Sequence, residues 1–447
     1  MEMKREQWWY GKIACQIYLK SFCDSDGDGI GDIPGVISRL DYLKSLGADI
    51  LWLSPCYPSP WADQGYDISD YCDIDPRYGT LEDMDELIAE ASRRDMYILM
   101  DLVLNHCSDE HIWFRKACED PEGRYGKYFY IKDRDPSGKL PCNWRSVFGG
   151  EVWEELPGHP DKIYLHTFHR KQPDLNWENP QVREDIYKIA SWWMDRGIAG
   201  FRVDAVTYIK KDLPFVNAPA DREDGLCYIG RNPESARGLG VFLREMRDRV
   251  FAPKKAFTIG EVFNDQEGEL EALIGEHGYF SSMFDFSHIS FGMNRLGWYS
   301  WNPITTEDYK QCILDAQKRL GHVGYFSNVL ENHDRPRSSS WILPPEGRTQ
   351  EGKKCLALAY FMLRGIPFIY QGQEIGMENT VFHSADEFDD VTAIDEYRVA
   401  LSAGFDETDA LMIASTFSRD NVRTPMQLIT WDKRFIHASA VSWLLQK

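Results

Sequence analysis

A chain of 447 residues that is 43% hydrophobic and 27% charged has core enough for one large α/β barrel or for two or three smaller domains. Its net charge of −21 argues against nucleic acid and anionic lipid as partners and leaves neutral sugars open. The ten cysteines form no CxxC, no run of 18 apolar residues occurs, and MEMKREQWWYGK lacks a signal peptide's apolar segment, so the expected location is cytoplasmic, reduced and free of membrane.

The first strand is predicted at residues 13–22, followed by the loop DSDGDGIGD at 24–32. Apolar residues at 33, 36, 37, 40, 43 and 46 then recur at helical spacing, and Gly47 follows the last of them. Buried strands are predicted at 48–55 and 97–106, with an amphipathic helix over 81–95 between them. Residues 107–173 break the rhythm: they are rich in Gly, Pro, Asp and aromatics and read as an inserted irregular domain. Helix 182–197 resumes the pattern and leads into the apolar strand GFRVDAV, 200–206. Helix 235–250, strand 257–263, a short helix near 267–276, strand 281–286, helix 306–320, strand 325–334, helix 351–364 and strand 366–374 complete the series. Eight strands mostly separated by helices favour a closed (β/α)8 TIM barrel over an open sheet. The barrel then runs over 1–106 and 174–427, interrupted by the insertion at 107–173, with 428–447 as an aberrant tail.

In such barrels the chemistry gathers at the C-terminal ends of the strands. Strand three ends in Asp101, Asn105 and His106; strand four carries Arg202 and Asp204; strand five ends near Glu261; strand seven ends in His333 and Asp334. Alternation puts Arg202 and Asp204 on one face, where the guanidinium would hold the carboxylate ionised, as a nucleophile needs. Taken alone, that pair reads equally well as a structural ion pair. Four carboxylates and two histidines converging on one mouth read as a site.

The blocks DLVLNH (101–106), QPDLNW (172–177), GFRVDAV, GEVF (260–263) and ENHDRPR (331–337), in this order, resemble the alpha-amylase family, glycoside hydrolase family 13. QPDLNW, the ENHD-x-PR form and SRDNVRTPMQ (418–427) are similar to its oligo-1,6-glucosidase and alpha-glucosidase subgroup. The resemblance implies Asp204 as nucleophile, Glu261 as general acid/base and Asp334 as the carboxylate that grips sugar hydroxyls in the transition state. It implies sugar contacts for Asp67, Tyr66, His106, Phe148, Phe168, Gln172, Arg202, His333, Arg337 and Arg419. For Phe148 and Phe168, plain core packing is the other reading. The loop Asp24, Asp26, Asp28, Ile30 and Asp32 resembles the subgroup's calcium or magnesium loop, with a metal-free Asp/Gly turn as the alternative. No organic cofactor is implied.

The expected activity is retaining, exo-acting release of glucose from short α-linked oligosaccharides. A sucrose isomerase or other transglycosylase, and a non-catalytic or inactive truncated product, are the alternatives. Two departures from the pattern stand out. Ala205 follows the nucleophile where 1,6-preferring members tend to have valine, which would relax linkage selectivity. After TPMQ the family's eighth helix and C-terminal β-domain do not follow, so the expectation is a chain lacking them. VTAIDEYRVALSA (391–403) matches a loop of the family and is not counted as a helix.

Overall fold

The computed structural model describes residues 7–229, 238–263, 268–288, 296–302 and 304–426. The tail read as aberrant, 428–447, and the first three residues of the helix expected at 235–250 lie outside the described residues.

Eight strands close into a parallel barrel: β1 (Ala14–Ile17), β2 (Ile50–Leu53), β3 (Tyr97–Val103), β4 (Gly200–Asp204), β5 (Phe257–Gly260), β6 (Ser282–Phe284), β7 (Phe326–Asn328) and β8 (Gly365–Tyr370). They stand in sequence order around the ring, and β8 pairs back onto β1. The barrel's centre is filled by side chains, among them Trp52, Leu99, Phe257, Ile259, Phe284 and Phe368. Trp9 packs on Phe257, with ring centroids 5.1 Å apart, at the end of the barrel where the strands begin.

Register places the chemistry. Arg202 of β4 is paired with Asp101 of β3 and Ile259 of β5, and Val103 with Asp204. Asp101, Arg202, Asp204 and the residue just past β5, Glu261, are therefore neighbours before any side chain is placed. β4 and β5 approach closely at Gly200, where a Cβ would sit 1.8 Å from the Phe257 carbonyl oxygen.

The helix read over 33–46 divides into α1 (Ile33–Ser38) and α2 (Leu40–Ser45), because Arg39 leaves helical geometry at φ −111° and ψ 4°. Then come α3 (Leu81–Ser92), α4 (Pro180–Arg196), α5 (Leu239–Met246), α6 (Leu270–Ile274), α7 (Thr306–Leu320) and α8 (Gln350–Phe361). Capping boxes start α3 at Thr80 with Asp83 and α7 at Thr305 with Asp308.

Within residues 107–173 lies a three-stranded antiparallel sheet of Ile131–Asp133, His159–Leu165 and Trp153–Leu156. Trp144–Arg145 pairs with Cys227–Tyr228, and Trp144, Trp153 and Ile163 share a core with Tyr208 and Phe215. This packing fastens the insertion to the segment that follows β4.

After β8 the structure departs from the sequence reading. Residues 391–402, not counted as a helix, form α9 (Val391–Ser402), which packs against α10 (Glu407–Phe417). Asp390 and Asp406 cap the two starts. The buried residues of this hairpin include Ala393, Ala400, Ala410 and Ala414, so small side chains replace the large apolar stripe that marks a helix in sequence. A short turn, α11 (Asp420–Arg423), follows.

Candidate active site

A cavity of 480 Å³ opens at the mouth of the barrel and is lined by Asp204, Glu261 and Asp334. Arg202 is the hub beneath it. Its Nη1 donates to Asp101 Oδ1 at 2.7 Å and to Asp204 Oδ1, and its Nη2 donates to Glu261 Oε1. Glu261 Oε2 accepts from the Ala205 amide at 2.9 Å. Asp101 also accepts from Trp52 Nε1 at 3.0 Å and Tyr66 Oη at 3.2 Å. The chain turns sharply after Asp204, with Ala205 at φ +49° and ψ 36°, a left-handed conformation that β-branched residues adopt at greater cost.

Asp334 sits opposite. Its Oδ2 lies 3.0 Å from His333 Nε2, and its Oδ1 accepts from Arg423 Nη2 at 2.7 Å. Gln16 Nε2 donates to His333 Nδ1 at 2.7 Å, which leaves the ring proton on Nε2. Burial pushes His333 and His106 down to about 4, so both are neutral near pH 7.

Burial raises the carboxyls of Asp204 and Glu261, and Arg202 opposes it in each. Asp101 is raised to about 6 for the same reason. The guanidinium expected to hold Asp204 ionised does pull its carboxyl down, but burial outweighs that pull. One guanidinium faces three buried carboxylates, and burial outweighs its pull on each of them. Burial also raises Asp334, but His333, Arg423 and Arg419 outweigh it and hold that carboxyl well below its ordinary value.

Tyr66, His106, Phe148, Phe168 and Arg419, expected to contact the sugar, line the cavity. Arg202, Gln172, His333 and Arg337 lie behind its wall. Gln172 Nε2 bonds Asp63 at 3.0 Å and His106 at 3.0 Å. Arg337 is turned away, onto Glu331 at 3.2 Å and the Gln371 carbonyl at 2.7 Å.

Asp67 is a correction. Its carboxylate is consumed within its own loop by Ser59 Oγ at 2.9 Å and by the amides of Ala62 at 2.7 Å and Asp63 at 3.0 Å. Asp63 takes the cavity position instead. It forms an ion pair with Arg419 at 3.5 Å, and its buried Oδ1 has no hydrogen-bond partner among the described residues. Burial raises its carboxyl to about 6. Arg222, Arg335, Asp395 and Glu396 also line the cavity and were not singled out in sequence. Arg335 lies inside the ENHDRPR block; Asp395 and Glu396 needed the unrecognised helix α9.

At the loop after β1, the carboxylate oxygens of Asp24, Asp26 and Asp28 lie within 4.8 Å of one another. This all-oxygen set fits a hard cation such as Ca2+ or Mg2+. Asp32 stands apart from that group. It caps α1, accepting from the Gly35 amide at 2.6 Å and from Ser25 at 2.9 Å. Ile30 can offer only its backbone carbonyl.

A closed parallel barrel with buried carboxylates gathered at its mouth is an arrangement suited to acid/base chemistry on a bound substrate. The alpha amylase catalytic-domain model matches residues 16–446. The chain is 41% identical over 426 residues to the probable oligo-1,6-glucosidase 3 of Bacillus subtilis, covering 95% of this chain and 76% of that one. A crystal structure of a mutant trehalose-6-phosphate hydrolase from Bacillus licheniformis superposes with a TM-score of 0.86 at 36% identity, covering 94% of this chain and 75% of that one. An isomaltulose synthase mutant from Erwinia rhapontici does so with 0.86 at 34%, covering 95% and 76%. The chain belongs to the alpha-amylase family, glycoside hydrolase family 13.

Proposed function

We propose that the protein is a retaining, exo-acting α-glucosidase that releases single glucose units from short α-linked oligosaccharides of the isomaltose type. The observation that carries this is the pair Asp204 and Glu261 on one guanidinium, facing Asp334 across the cavity. Two carboxyls tied to one arginine are neighbours, which supports retention, a mechanism that works at a separation of about 5 Å where inversion needs a wider one. Asp204 attacks the anomeric carbon through Oδ2. Glu261 delivers a proton to the leaving oxygen, then deprotonates the water that releases glucose. Asp334 remains ionised and accepts from sugar hydroxyls as charge develops on the ring.

Asp63 and Arg419 give the reading its exo character. The hydroxyls of a terminal glucose supply what the Asp63 carboxylate lacks. Ala205 beside the nucleophile presents only a methyl group, which relaxes the choice between α-1,6 and α-1,4 bonds. A divalent cation at Asp24, Asp26 and Asp28 would serve stability, since none of these residues lines the cavity. The chain's likeness to oligo-1,6-glucosidases supports the hydrolytic reading.

The test is the rate on isomaltose, maltose and 4-nitrophenyl α-glucoside for the parent and for Asp204→Asn. Loss of the nucleophile is expected to cost at least about a thousandfold, or ~4 kcal/mol of barrier. An Asp204→Asn variant as fast as the parent removes the assignment. Free glucose and fructose from sucrose accord with hydrolysis, whereas isomaltulose or trehalulose identify an isomerase instead.

A further inference from the structure

Arg423 grips the cavity wall from behind. Its Nη2 donates to Asp334 Oδ1 at 2.7 Å, and its Nε donates to the His333 carbonyl oxygen at 3.0 Å. One planar guanidinium therefore holds both the carboxylate and the piece of chain that carries it. The side chain is buried, lies 5.6 Å over the Tyr18 ring and does not line the cavity.

The turn that carries Arg423 is pinned on every side. Tyr370 Oη of β8 donates to the Val422 carbonyl at 2.6 Å. Asp420 Oδ2 accepts from the amides of Asp389 at 2.9 Å and Asp390 at 3.1 Å. Asn421 Nδ2 donates to the Ser415 carbonyl at 2.7 Å, and the Met426 amide donates to the Ser21 carbonyl at 2.8 Å. A four-residue turn would not fix a long side chain unaided; these bonds anchor it to the end of β8, to the segment after β1 and to the hairpin of α9 and α10.

We propose that Arg423 is a positioning residue for the reaction: it touches no substrate but orients the Asp334 carboxylate toward the sugar. The proposal rests on the role given to Asp334 above. Arg419 does not duplicate it. That side chain is 3.6 Å from Asp334 Oδ1 and is committed to Asp390 at 2.8 Å and Asp63 at 3.5 Å. The charged and titratable groups facing Asp334 are His333, Arg419, Arg423, Asp63, Tyr18, Tyr66, Glu261, Asp204 and Arg335. Of these, Arg423 bonds both the carboxylate and the backbone beside it. Removing it also takes away one of the charges that hold the Asp334 carboxyl low, so the acid limb of the rate profile moves to higher pH.

The experiment compares Arg423→Met, Arg423→Lys and Asp334→Asn with the parent in full-length chain, measuring kcat, KM, the pH profile and thermal unfolding. Arg423→Met is expected to lose about a hundredfold in kcat with KM changed less than about threefold, the scale of a misplaced catalytic group. Arg423→Lys, which keeps charge but not the fork, is expected to recover about tenfold of that loss. The acid limb should rise in Arg423→Met. Unchanged kcat in Arg423→Met and Arg423→Lys overturns the proposal while leaving the Asp334 reading intact. An active Asp334→Asn sinks that reading itself. If Arg423→Met does not fold, Arg423→Lys decides: parental kcat and acid limb overturn the proposal. Equal losses of kcat and of melting temperature in both variants, with no shift of the acid limb, also overturn it and leave Arg423 a purely structural residue.

Discussion

Burial pushes the His111 imidazole down to about 3 and keeps it neutral at the start of helix 112–119. Its Nδ1 accepts from the Trp113 amide at 3.1 Å, and its ring lies 4.5 Å from that of Trp113. Unfolded, the same imidazole titrates near 6.5. Below that pH the unfolded chain binds a proton the folded chain refuses, so this group costs nothing above about pH 6.5 and destabilises by about 1.4 kcal/mol per unit as pH falls toward its folded value. His106, His288 and His333 act with the same sign, while the raised carboxyls of Asp63 and Asp101 act against it. The informative quantity is therefore a difference. His111→Asn keeps a capping oxygen and removes the titration. Between pH 7 and 5 the variant should lose about 2 kcal/mol less stability than the parent. Parallel pH dependences of unfolding would contradict this. At this scale the sequence showed which carboxylates belong to strand ends, since Asp204, Glu261 and Asp334 follow buried apolar runs. It did not separate Asp63 from Asp67. Both lie in one acidic loop, and the choice is made by left-handed turns at Trp61, φ +62°, and Gln64, φ +53°, which no periodicity announces.

The loop after β1 is tied chiefly to itself. Asp24 accepts from the amides of Gly27 at 2.6 Å and Gly29 at 2.9 Å, Asp26 from Asp28 at 3.1 Å, and Asp28 from Ile30 at 2.8 Å. These bonds hold three carboxylates together despite their repulsion, and a bound cation offsets that repulsion directly. A cation that binds only the folded loop stabilises by about 2.7 kcal/mol at a hundred times its Kd. Melting of the parent in chelator, then in added calcium or magnesium, should therefore shift upward with the ion, and the joint variant Asp26→Asn, Asp28→Asn should not respond. A parent that melts identically in all three buffers counts against the site. The alternation of acids and glycines made this loop visible in sequence. The hairpin of α9 and α10 was set aside because residues 391–403 match a loop of the family, and an interface built on alanines has no large apolar stripe to overrule that reading. Asp395 and Glu396 of the cavity wall were lost with it.

A buried cation joins the insertion's end to the barrel. Lys211, from the segment after β4, has its Nζ 2.8 Å from Asp174 Oδ2 and donates to Asn105 Oδ1 at 2.6 Å and to the Tyr208 carbonyl. Asp174, which closes the insertion, in turn accepts from the Thr167 amide at 2.9 Å, Thr167 Oγ1 and Asn105 Nδ2 at 3.0 Å. His106 and Phe168 of the cavity stand beside this knot, their rings 5.2 Å apart. The sequence displays each of these residues but not their meeting, since Lys211 and Asn105 are 106 positions apart. Burial works against the charge of Lys211, and Asp174 compensates it. Removing the lysine leaves that carboxylate buried without its cation, a change that costs about 3–5 kcal/mol where a buried pair is broken from one side. Lys211→Met should fall by that order in urea unfolding. The double variant Lys211→Met, Asp174→Asn should regain part of the loss, because no buried charge is then orphaned. If the double variant is as unstable as the sum of the two single changes, the pair is uncoupled, and the insertion is held to the barrel by apolar packing around Trp144, Trp153 and Phe215 instead.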